Sequence, residues 1–255
     1  MLVYVFAVIA AVSVVIVAAY LFRKLGRGTE DVDPNGATVR HAGVMLSALF
    51  LLVFAIAIVV PWSTADSARL NTYSEGQAIA GAYWSAAELP APVNRQVQSE
   101  LHDYTSFVRD KEWPLMANGR LSAEGWRRLD ELRAQVTGLK ATKDEVRDAR
   151  SAVLGKLGDL SAARRQRAAD AQRSSPSGVL VLTVLSGLAV GLFPILAGAR
   201  PSGMTIVALL VMAGLVGLGV DLAFAIAHVF DGPLAVHPDA FTAVLQEFDG
   251  TPGGG

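Results

Sequence analysis

Charged side chains are absent from long stretches of this chain, and their absence limits what it can fold into. Residues 1–22, 43–60 and 178–199 contain no Asp, Glu, Lys or Arg, and residues 204–230 contain Asp221 alone among these types. A helix needs about 20 apolar residues to cross a bilayer, and in hydrocarbon a segment must satisfy its own backbone groups. The sequence therefore predicts four transmembrane helices, at 1–22, 42–61, 178–199 and 204–230.

The first of these stretches also has to be compared with a cleaved signal peptide. It has no positive residues before its apolar run, and the run is longer than the hydrophobic part of most signal peptides. Arg23 and Lys24 follow the run instead of preceding it. We therefore expect a retained helix that spans the membrane.

A polar region separates the second and third predicted spans. Residues 63–177 hold 17 of the 22 basic and 15 of the 23 acidic residues, so most of the charge lies here. Apolar residues recur in this region at helical spacing and never alternate with a period of two, so the sequence predicts helices and no sheet. The recurring apolar positions are Val93, Val97, Leu101, Tyr104 and Val108, then Trp126, Leu129, Leu132 and Val136, then Val146, Val153, Leu157 and Leu160.

Several helix ends are marked in the sequence. We expect Trp113-Pro114 to end one helix, because proline interrupts helical hydrogen bonding, and Ser122 to cap the start of the next. Pro238 begins a short amphipathic helix in the tail, with Phe241, Val244, Leu245 and Phe248 on one side. The predicted helices of the polar region cover 65–89, continuing out of the second span, 91–113, 122–137 and 142–172.

These patterns predict an all-α fold, with four transmembrane helices and a helical domain inserted between helices 2 and 3. We expect a multi-pass protein of the cell membrane that contacts the lipid bilayer and forms a homo-oligomer. Five Lys or Arg residues flank the spans on each side, so the excess of cytoplasmic positive charge leaves the side of the inserted domain undecided. The predicted domains are 1–62, 63–177, 178–230 and the tail 231–255.

Asp221 is the single residue that most strongly indicates a functional site, because a carboxylate inside a membrane span is energetically costly. His228 follows seven residues later and shares its helix face. One interpretation is that this face lines an ion or proton path. The other is that Asp221 bonds a neighbouring helix while His228 lies at the membrane interface.

Small residues are frequent in the last two spans, at Gly187 and Gly191 and again at Gly214, Gly217 and Gly219. Such residues let helix backbones approach closely in membranes. We therefore expect these glycines to pack helices together, in preference to contacting a ligand.

The basic run Arg164–Arg173 allows three interpretations. It could lie on a solvated helix face with ion pairs to acidic neighbours, contact anionic lipid headgroups, or attract anions at a pore mouth. We favour the first two. Glu75 and Glu112 could pair with arginines of the 164–167 cluster and close the helices into a bundle.

Most enzyme and cofactor classes lack a matching motif in this chain. There is no cysteine, the four histidines are scattered, and no zinc-protease or serine-hydrolase motif occurs. A formal net charge of −1 argues against nucleic-acid binding. We therefore expect no enzymatic activity, no catalytic residues, no metal and no cofactor.

A series of residues spread from the end of the second span to the tail resembles the bestrophin-like family of uncharacterised bacterial membrane proteins. The likeness covers roughly residues 40–250, and its most specific element is the Glu-Trp-Pro segment. The tail departs from the family pattern at Leu234 and Val236, where Phe and Gly are usual. The residues that carry the resemblance are Glu75, Tyr83, Leu89-Pro90, Tyr104, Glu112-Trp113-Pro114-Leu115-Met116, Arg164 to Arg167 and Asp231-Gly232-Pro233-Leu234.

The resemblance implies four helices with a helical domain between spans two and three. By analogy to true bestrophins it further implies a pentamer that conducts anions, with the central region in the cytoplasm. Two functions therefore remain open. One is an oligomeric channel lined by helix two and by the Asp221 face. The other is a non-conducting membrane scaffold or sensor whose helical domain binds a partner.

Overall fold

The computed structural model describes residues 13, 17, 20, 21, 37–172, 177–196, 204–226, 229–232 and 234–250. Helices joined by turns account for this part of the chain, and no strand occurs in it. The prediction of an all-α fold is therefore confirmed. Most of the first predicted span lies outside the described residues, as do His228 and Pro233.

The described helices follow one another with short connections. The chain divides into two compact units, which we call unit 1 (Met1–Trp62 with Ser175–Ala227) and unit 2 (Ser63–Ser174 with His228–Gly255). The elements are α1 (Ala37–Ala86), α2 (Val93–Phe107), a π-helical turn (Val108–Glu112), α3 (Trp113–Met116), α4 (Ala123–Gly138), α5 (Asp144–Gln172), α6 (Ser177–Leu196), α7 (Met204–Ala225) and α8 (Asp239–Gly250).

Helix α1 is one uninterrupted helix of 50 residues. The expectation that the polar segment after residue 65 continues out of the second span is therefore confirmed. The stretch Gly43–Ala86 is the one described helix that is long and apolar enough to cross a membrane by these two criteria. Two shorter apolar helices are Gly178–Phe193 and Leu210–Ala225.

In unit 1, glycines bring α6 and α7 close to each other and to α1. A Cβ added at Gly187 would lie 2.9 Å from a Val216 methyl and 3.4 Å from the Phe50 ring. A Cβ added at Gly219 would lie 2.7 Å from the Phe54 ring. At these two positions the packing interpretation of the glycines is confirmed.

The outer surface of unit 1 is apolar. Large hydrophobic side chains stay exposed on all three of its described helices, which is unusual for a surface that meets water. They include Val44, Met45, Leu49, Leu51, Leu52, Ile56, Val59, Val60, Trp62, Val181, Leu182, Leu185, Val207, Val211, Leu215 and Phe224.

Helix α7 ends at Ala225 and not at residue 230 as predicted. The chain turns back on itself soon afterwards, and the backbone N–H of Val236 donates to the carbonyl of Val229 at 2.9 Å. Gly232 has φ of +97°, a conformation that residues with a side chain rarely adopt. The apolar composition of 226–230 concealed this turn, because Val229 and Phe230 are buried in unit 2.

Unit 2 is a helical bundle with a continuous apolar core. The predicted cap of α4 is confirmed, since the Ser122 hydroxyl accepts a hydrogen bond from the Glu124 backbone N–H at 3.1 Å. The tail helix α8 is confirmed as well, and its apolar face is part of the core of unit 2. Core residues include Ile79, Val97, Leu101, Tyr104, Leu129, Leu132, Val136, Val153, Leu157, Leu160, Phe241, Val244, Leu245 and Phe248.

The prediction that Trp113-Pro114 ends a helix is wrong. The chain stays helical through the π-helical turn, where the Trp113 N–H donates to the carbonyl of Val108, five residues earlier. Helix α3 then runs to Met116, because Pro114 lies in its first turn, where a missing N–H costs little. The extra residue of a π turn shifts the helix face, and both Glu112 and Trp113 are buried.

Candidate functional site

Four charged side chains of unit 2 are completely enclosed by protein. Glu75 lies on α1, Glu112 ends the π-helical turn, and Arg164 and Arg167 lie on α5; each has a side-chain exposure of 0%. Charged residues are almost never fully buried unless they are paired. We call this group, together with Tyr104 of α2, the buried charge network.

Arg164 and Glu112 form a bidentate ion pair. Nη1 of Arg164 donates to Oε1 of Glu112 at 2.7 Å, and Nη2 donates to Oε2 at 2.5 Å. Parallel bonds of this kind match the planar guanidinium to the planar carboxylate and are the strong form of the interaction. The pair joins the π-helical turn to α5.

Arg167 connects both carboxylates. Its Nε and Nη2 donate to the two oxygens of Glu75 at 2.6 and 3.0 Å, and Nη2 also donates to Oε1 of Glu112 at 2.8 Å. The remaining Nη1 contacts the Met116 sulfur at 3.0 Å. Because Glu112 is shared by both arginines, the two ion pairs form one network and not two independent bridges.

Tyr104 closes the network with its hydroxyl. The Tyr104 hydroxyl accepts a hydrogen bond from Nη1 of Arg164 at 3.1 Å, and its O–H donates to Oε1 of Glu75 at 3.4 Å. Burial raises the pKa of Tyr104 well above its usual range, and the negative charge of Glu75 adds to the effect. The phenol therefore stays protonated and keeps its donor.

Backbone groups at the start of α4 satisfy further atoms of the network. The Ser122 N–H donates to Oε2 of Glu112 at 3.0 Å, and the Ser122 carbonyl accepts from Nη2 of Arg164 at 3.1 Å. Gly125 of α4 is buried directly against Arg164, and a Cβ there would lie 2.6 Å from the guanidinium carbon. The first turn of α4 is thus fitted to the arginine.

Aromatic rings surround both guanidinium groups. The Arg164 guanidinium lies 4.8 Å from the ring centroid of Trp126, and that of Arg167 lies 5.4 Å from Phe241 and 5.9 Å from Trp113. Ring faces attract cations, and more strongly where water is excluded. Through Phe241, the tail helix α8 contributes to the site.

The formal charges of the network cancel, two negative against two positive. Burial alone raises the pKa of Glu112, but the hydrogen bond from Arg164 and the charge of Arg167 outweigh it, so the pKa lies below the usual value. Burial lowers the pKa of Arg167, and its pairing with Glu75 outweighs this and raises the pKa overall. Glu112 and Arg167 are therefore charged at neutral pH, consistent with strong pairing.

A second polar contact lies one helical turn from the network. Asn71 of α1 donates to Oδ2 of Asp170 on α5 at 2.7 Å, and Asp170 is 1% exposed. Asn71 precedes Glu75 by four residues and Asp170 follows Arg167 by three, so the same two helices are joined twice. The sequence does not predict this contact, because an Asn in a polar segment gives no distinctive signal.

The network offers no open site for catalysis. Its side chains are inaccessible to solvent, and they bond to one another, so a substrate could not reach them without local unfolding. Among the residues that the structure describes, no group of three His, Asp or Glu side chains could hold a metal ion. Within the network as the structure describes it, Nε of Arg164 is buried without a hydrogen-bond partner. The network therefore has a structural role, because its bonds join α1, α2 and the π-helical turn to α5.

The basic run divides into buried and exposed arginines. The expected pairing of Glu75 and Glu112 with arginines of the 164–167 cluster is present. The interpretation of the run as a solvated face is wrong for Arg164 and Arg167, since both are fully buried; Arg165 between them is exposed. The two buried side chains also cannot contact lipid headgroups or passing anions.

The other candidate residues lie apart from the network. Trp113 packs in the core, edge-on against Phe230 at 5.5 Å and Phe241 at 5.7 Å between ring centroids. Asp231 is exposed in the turn before α8, and Asp221 is partly exposed on α7. The hypothesis of a path along the face of Asp221 and His228 stays a prediction.

A comparison with protein families decides the classification. The family model described as the bestrophin-like domain matches residues 7–241, nearly the whole chain. The chain belongs to the bestrophin-like family. In this bestrophin-like chain, the motif residues Glu75, Tyr104, Glu112, Arg164 and Arg167 meet in one place, although they are up to 92 positions apart. No curated protein sequence matches the chain.

Solved structures share the bestrophin-like fold of this chain. The crystal structure of a bacterial bestrophin homologue from Klebsiella pneumoniae is 16% identical with a TM-score of 0.69, covering 97% of this chain and 99% of that one. A point mutant of that homologue is 14% identical with a TM-score of 0.71 and the same coverage. A third structure, of a mutant membrane protein, is 15% identical with a TM-score of 0.69, again at 97% and 99% coverage.

Proposed function

We propose that this protein is an oligomeric ion channel of the membrane, in which copies of α1 surround the ion path. The observation that carries the proposal is the exposed face of α1. The first half of this face is apolar and the second half is mostly polar. In both halves the exposed side chains recur every three or four residues. The proposal includes four membrane spans, with the polar helical bundle inserted between the second and the third.

The membrane part of the proposal is supported by the surface of unit 1. Its exposed side chains are large and apolar, while small residues such as Gly187 and Gly219 lie where its helices approach each other closely. Close packing through small residues with bulky residues outside is the usual pattern of membrane helices. Trp62, which is 61% exposed, ends the apolar part of α1, and tryptophan is enriched at membrane–water interfaces.

The exposed face of α1 repeats at intervals of three and four residues. In its first half the face carries Leu49, Leu52, Ile56 and Val59, all at least 44% exposed. In its second half the same spacing continues through Ser63, Asp66, Leu70, Tyr73 and Gln77, also exposed. Spacing of this kind points a single helix face at a common axis when several copies associate. A ring of apolar side chains forms a constriction, whereas polar side chains line a wider passage that stays filled with water.

The buried charge network supports a mechanical role for α1. Glu75 lies on the side of α1 opposite this face and is bonded to Arg167 of α5. The bundle of unit 2 therefore binds the second half of α1 on the side opposite the exposed face. A fixed helix is required if side chains on its outer face are to define a passage.

The permeant species implied by the bestrophin resemblance is an anion, and the membrane is the cell membrane. Purified full-length protein should run as a homo-oligomer in detergent by light scattering coupled to size exclusion. When reconstituted into liposomes it should pass small ions, measured as chloride release and as potassium release with ion-selective electrodes. A monomer, or an oligomer that releases neither ion, would support the alternative of a non-conducting scaffold or sensor.

A further inference from the structure

Residues 111–120, which we call the α3 segment, have an exposed apolar side. Helix α3 holds Trp113 and Met116 in the core of unit 2. Pro114 and Leu115 between them are exposed, and Leu115 is 42% exposed. Because the buried residues fix the orientation of this short helix, its outer side chains are held in place for a partner.

Two contacts place the α3 segment where the chain leaves unit 2 for the apolar helices of unit 1. A Cβ added at Gly119 would lie 3.2 Å from the carbonyl oxygen of Ala171, the sixth residue before α6 begins. Trp113 packs edge-on against Phe230, the fifth residue after α7 ends. The α3 segment therefore adjoins the chain connections to both of these helices.

Two cations flank the exposed apolar side chains. Lys111 and Arg120 are exposed at the ends of the α3 segment, and no ion pair within the described residues includes either of them. The neighbouring acid Asp110 is already bonded to Arg109 at 2.6 Å. The adjoining turn exposes one acid, Asp231. This surface thus carries two cations outside ion pairs against one acid, so it is weakly basic.

The backbone of the α3 segment is hydrogen-bonded where the helix ends. The N–H groups of Asn118 and Arg120 donate to the carbonyl of Leu115 at 3.0 and 3.3 Å, and the Gly119 N–H donates to the carbonyl of Met116 at 2.9 Å. Gly119 has φ of +67°, which this closed turn requires. Because burying an unpaired backbone group is costly, a turn with these bonds can enter a partly dehydrated layer more easily.

We propose that the α3 segment lies in the phospholipid headgroup layer, where Leu115 contacts lipid carbon and Lys111 and Arg120 bond lipid phosphates. The inference rests on the proposed function, since it takes α6 and α7 to cross the bilayer. Apolar side chains at a membrane surface enter about 5–10 Å into the boundary between headgroups and acyl chains, and the long stems of Lys and Arg let their charges reach the headgroups. Leu234, four residues after Phe230, is 47% exposed and adds a second apolar side chain.

The test attaches an environment-sensitive fluorophore to single cysteines of the reconstituted full-length protein, which has no natural cysteine. Leu115→Cys is compared with Ala152→Cys, an exposed position about 30 Å before the last residue of α5 at the helical rise of about 1.5 Å per residue. Lipids that carry a spin label just below the headgroup should quench the label at position 115 at least about twofold, and dissolved iodide should quench it weakly. The label at position 152 should show the reverse.

The role of the cations is tested with two spin-labelled lipids of different charge. Phosphatidylglycerol, which is anionic, should quench the label at position 115 roughly two- to fivefold more strongly than phosphatidylcholine, because Lys and Arg attract anionic lipid. Lys111→Gln combined with Arg120→Gln should remove this preference. The matched control is Lys140→Gln combined with Lys143→Gln, which removes two exposed lysines between α4 and α5 and should preserve the preference.

Leu185→Cys, on the exposed apolar surface of α6, separates this inference from the proposed function. If spin-labelled lipid quenches neither the label at 185 nor that at 115, the membrane spans fail and the inference fails with them. If lipid quenches the label at 185 alone, the spans stand and the lipid contact of the α3 segment is overturned. Shielding of position 115 from both lipid and iodide would assign it to a contact between copies instead. Equal quenching by the two lipids would overturn the role of Lys111 and Arg120.

Discussion

Arg167→Met is expected to lower the free energy of unfolding by about 3–5 kcal/mol, the range observed when one partner of a buried ion pair is removed. The substitution leaves the carboxylates of Glu75 and Glu112 enclosed, and Glu75 loses both of its bonds to the guanidinium. Their repulsion then acts in a region without water. Thermal unfolding in detergent, followed by tryptophan fluorescence, should show the loss, since Trp113 and Trp126 adjoin the network.

The matched control for this substitution is Arg165→Met. Arg165 lies on the same helix, between the two buried arginines, and is exposed. Its replacement should change the free energy of unfolding by no more than about 0.5 kcal/mol, as is usual for surface sites. Equal stability of the two variants would show that the buried charge network does not hold the bundle together.

Gly125→Ala is expected to destabilise unit 2 by about 1–3 kcal/mol, as overpacking of a core commonly does. The added methyl group would lie 2.6 Å from the Arg164 guanidinium carbon and 2.8 Å from Nη1. The guanidinium cannot retreat without breaking its two bonds to Glu112. The destabilisation should appear as a lower thermal midpoint and as a Trp126 fluorescence change already present in the folded state.

Gly155→Ala provides the opposite expectation in the same bundle. A Cβ at Gly155 meets nothing within 4 Å, and the residue is exposed on α5. Alanine within a helix is more stable than glycine by roughly 0.5–1 kcal/mol, so this variant should be slightly stabilised. If Gly125→Ala were stabilised to the same extent, the close fit between α4 and Arg164 would be contradicted.

The helices are predictable because their signals are local. Apolar spacing identifies α2, α4 and α5, and the Ser122 side chain marks the start of α4. The residue types also suggest that Glu75 and Glu112 pair with arginines of the 164–167 cluster, since isolated charges inside a bundle need partners. Which arginine joins which glutamate depends on the three-dimensional arrangement, and the sequence leaves it open.

Other features have no local signal. The π-helical turn arises where one extra residue is accommodated before Pro114, and helical spacing alone does not reveal such an insertion. Glycine is a poor helix former, and the sequence alone does not explain why Gly125 lies within α4. The explanation is the side chain of Arg164, 39 residues away in the sequence, which leaves no room for a Cβ at Gly125. The sequence predicts too long an α7 because Val229 and Phe230 are as apolar in the core of unit 2 as they would be in lipid.

One side of α1 contributes to the buried charge network, and the opposite side forms the exposed face. Glu75 and Asn71 bond to α5 on one side of α1, while Leu70 and Tyr73 remain exposed on the other. Residues that stabilise the bundle thereby determine where the outer face of α1 is held. In the proposed channel, the family motif from Glu75 to Arg167 accordingly contributes to conduction through position, without touching the ion.

The most direct test of an ion path along α1 is cysteine accessibility, and the chain contains no natural cysteine to interfere. Single cysteines at Leu70, Tyr73 and Gln77 are compared with a cysteine at Ile79, which is fully buried. A water-soluble, charged thiol reagent is applied to the reconstituted oligomer while the ion current is recorded. We predict that the current falls at the three exposed positions and is unchanged at Ile79. An unchanged current at all three exposed positions, with labelling verified by mass, would contradict an ion path along α1.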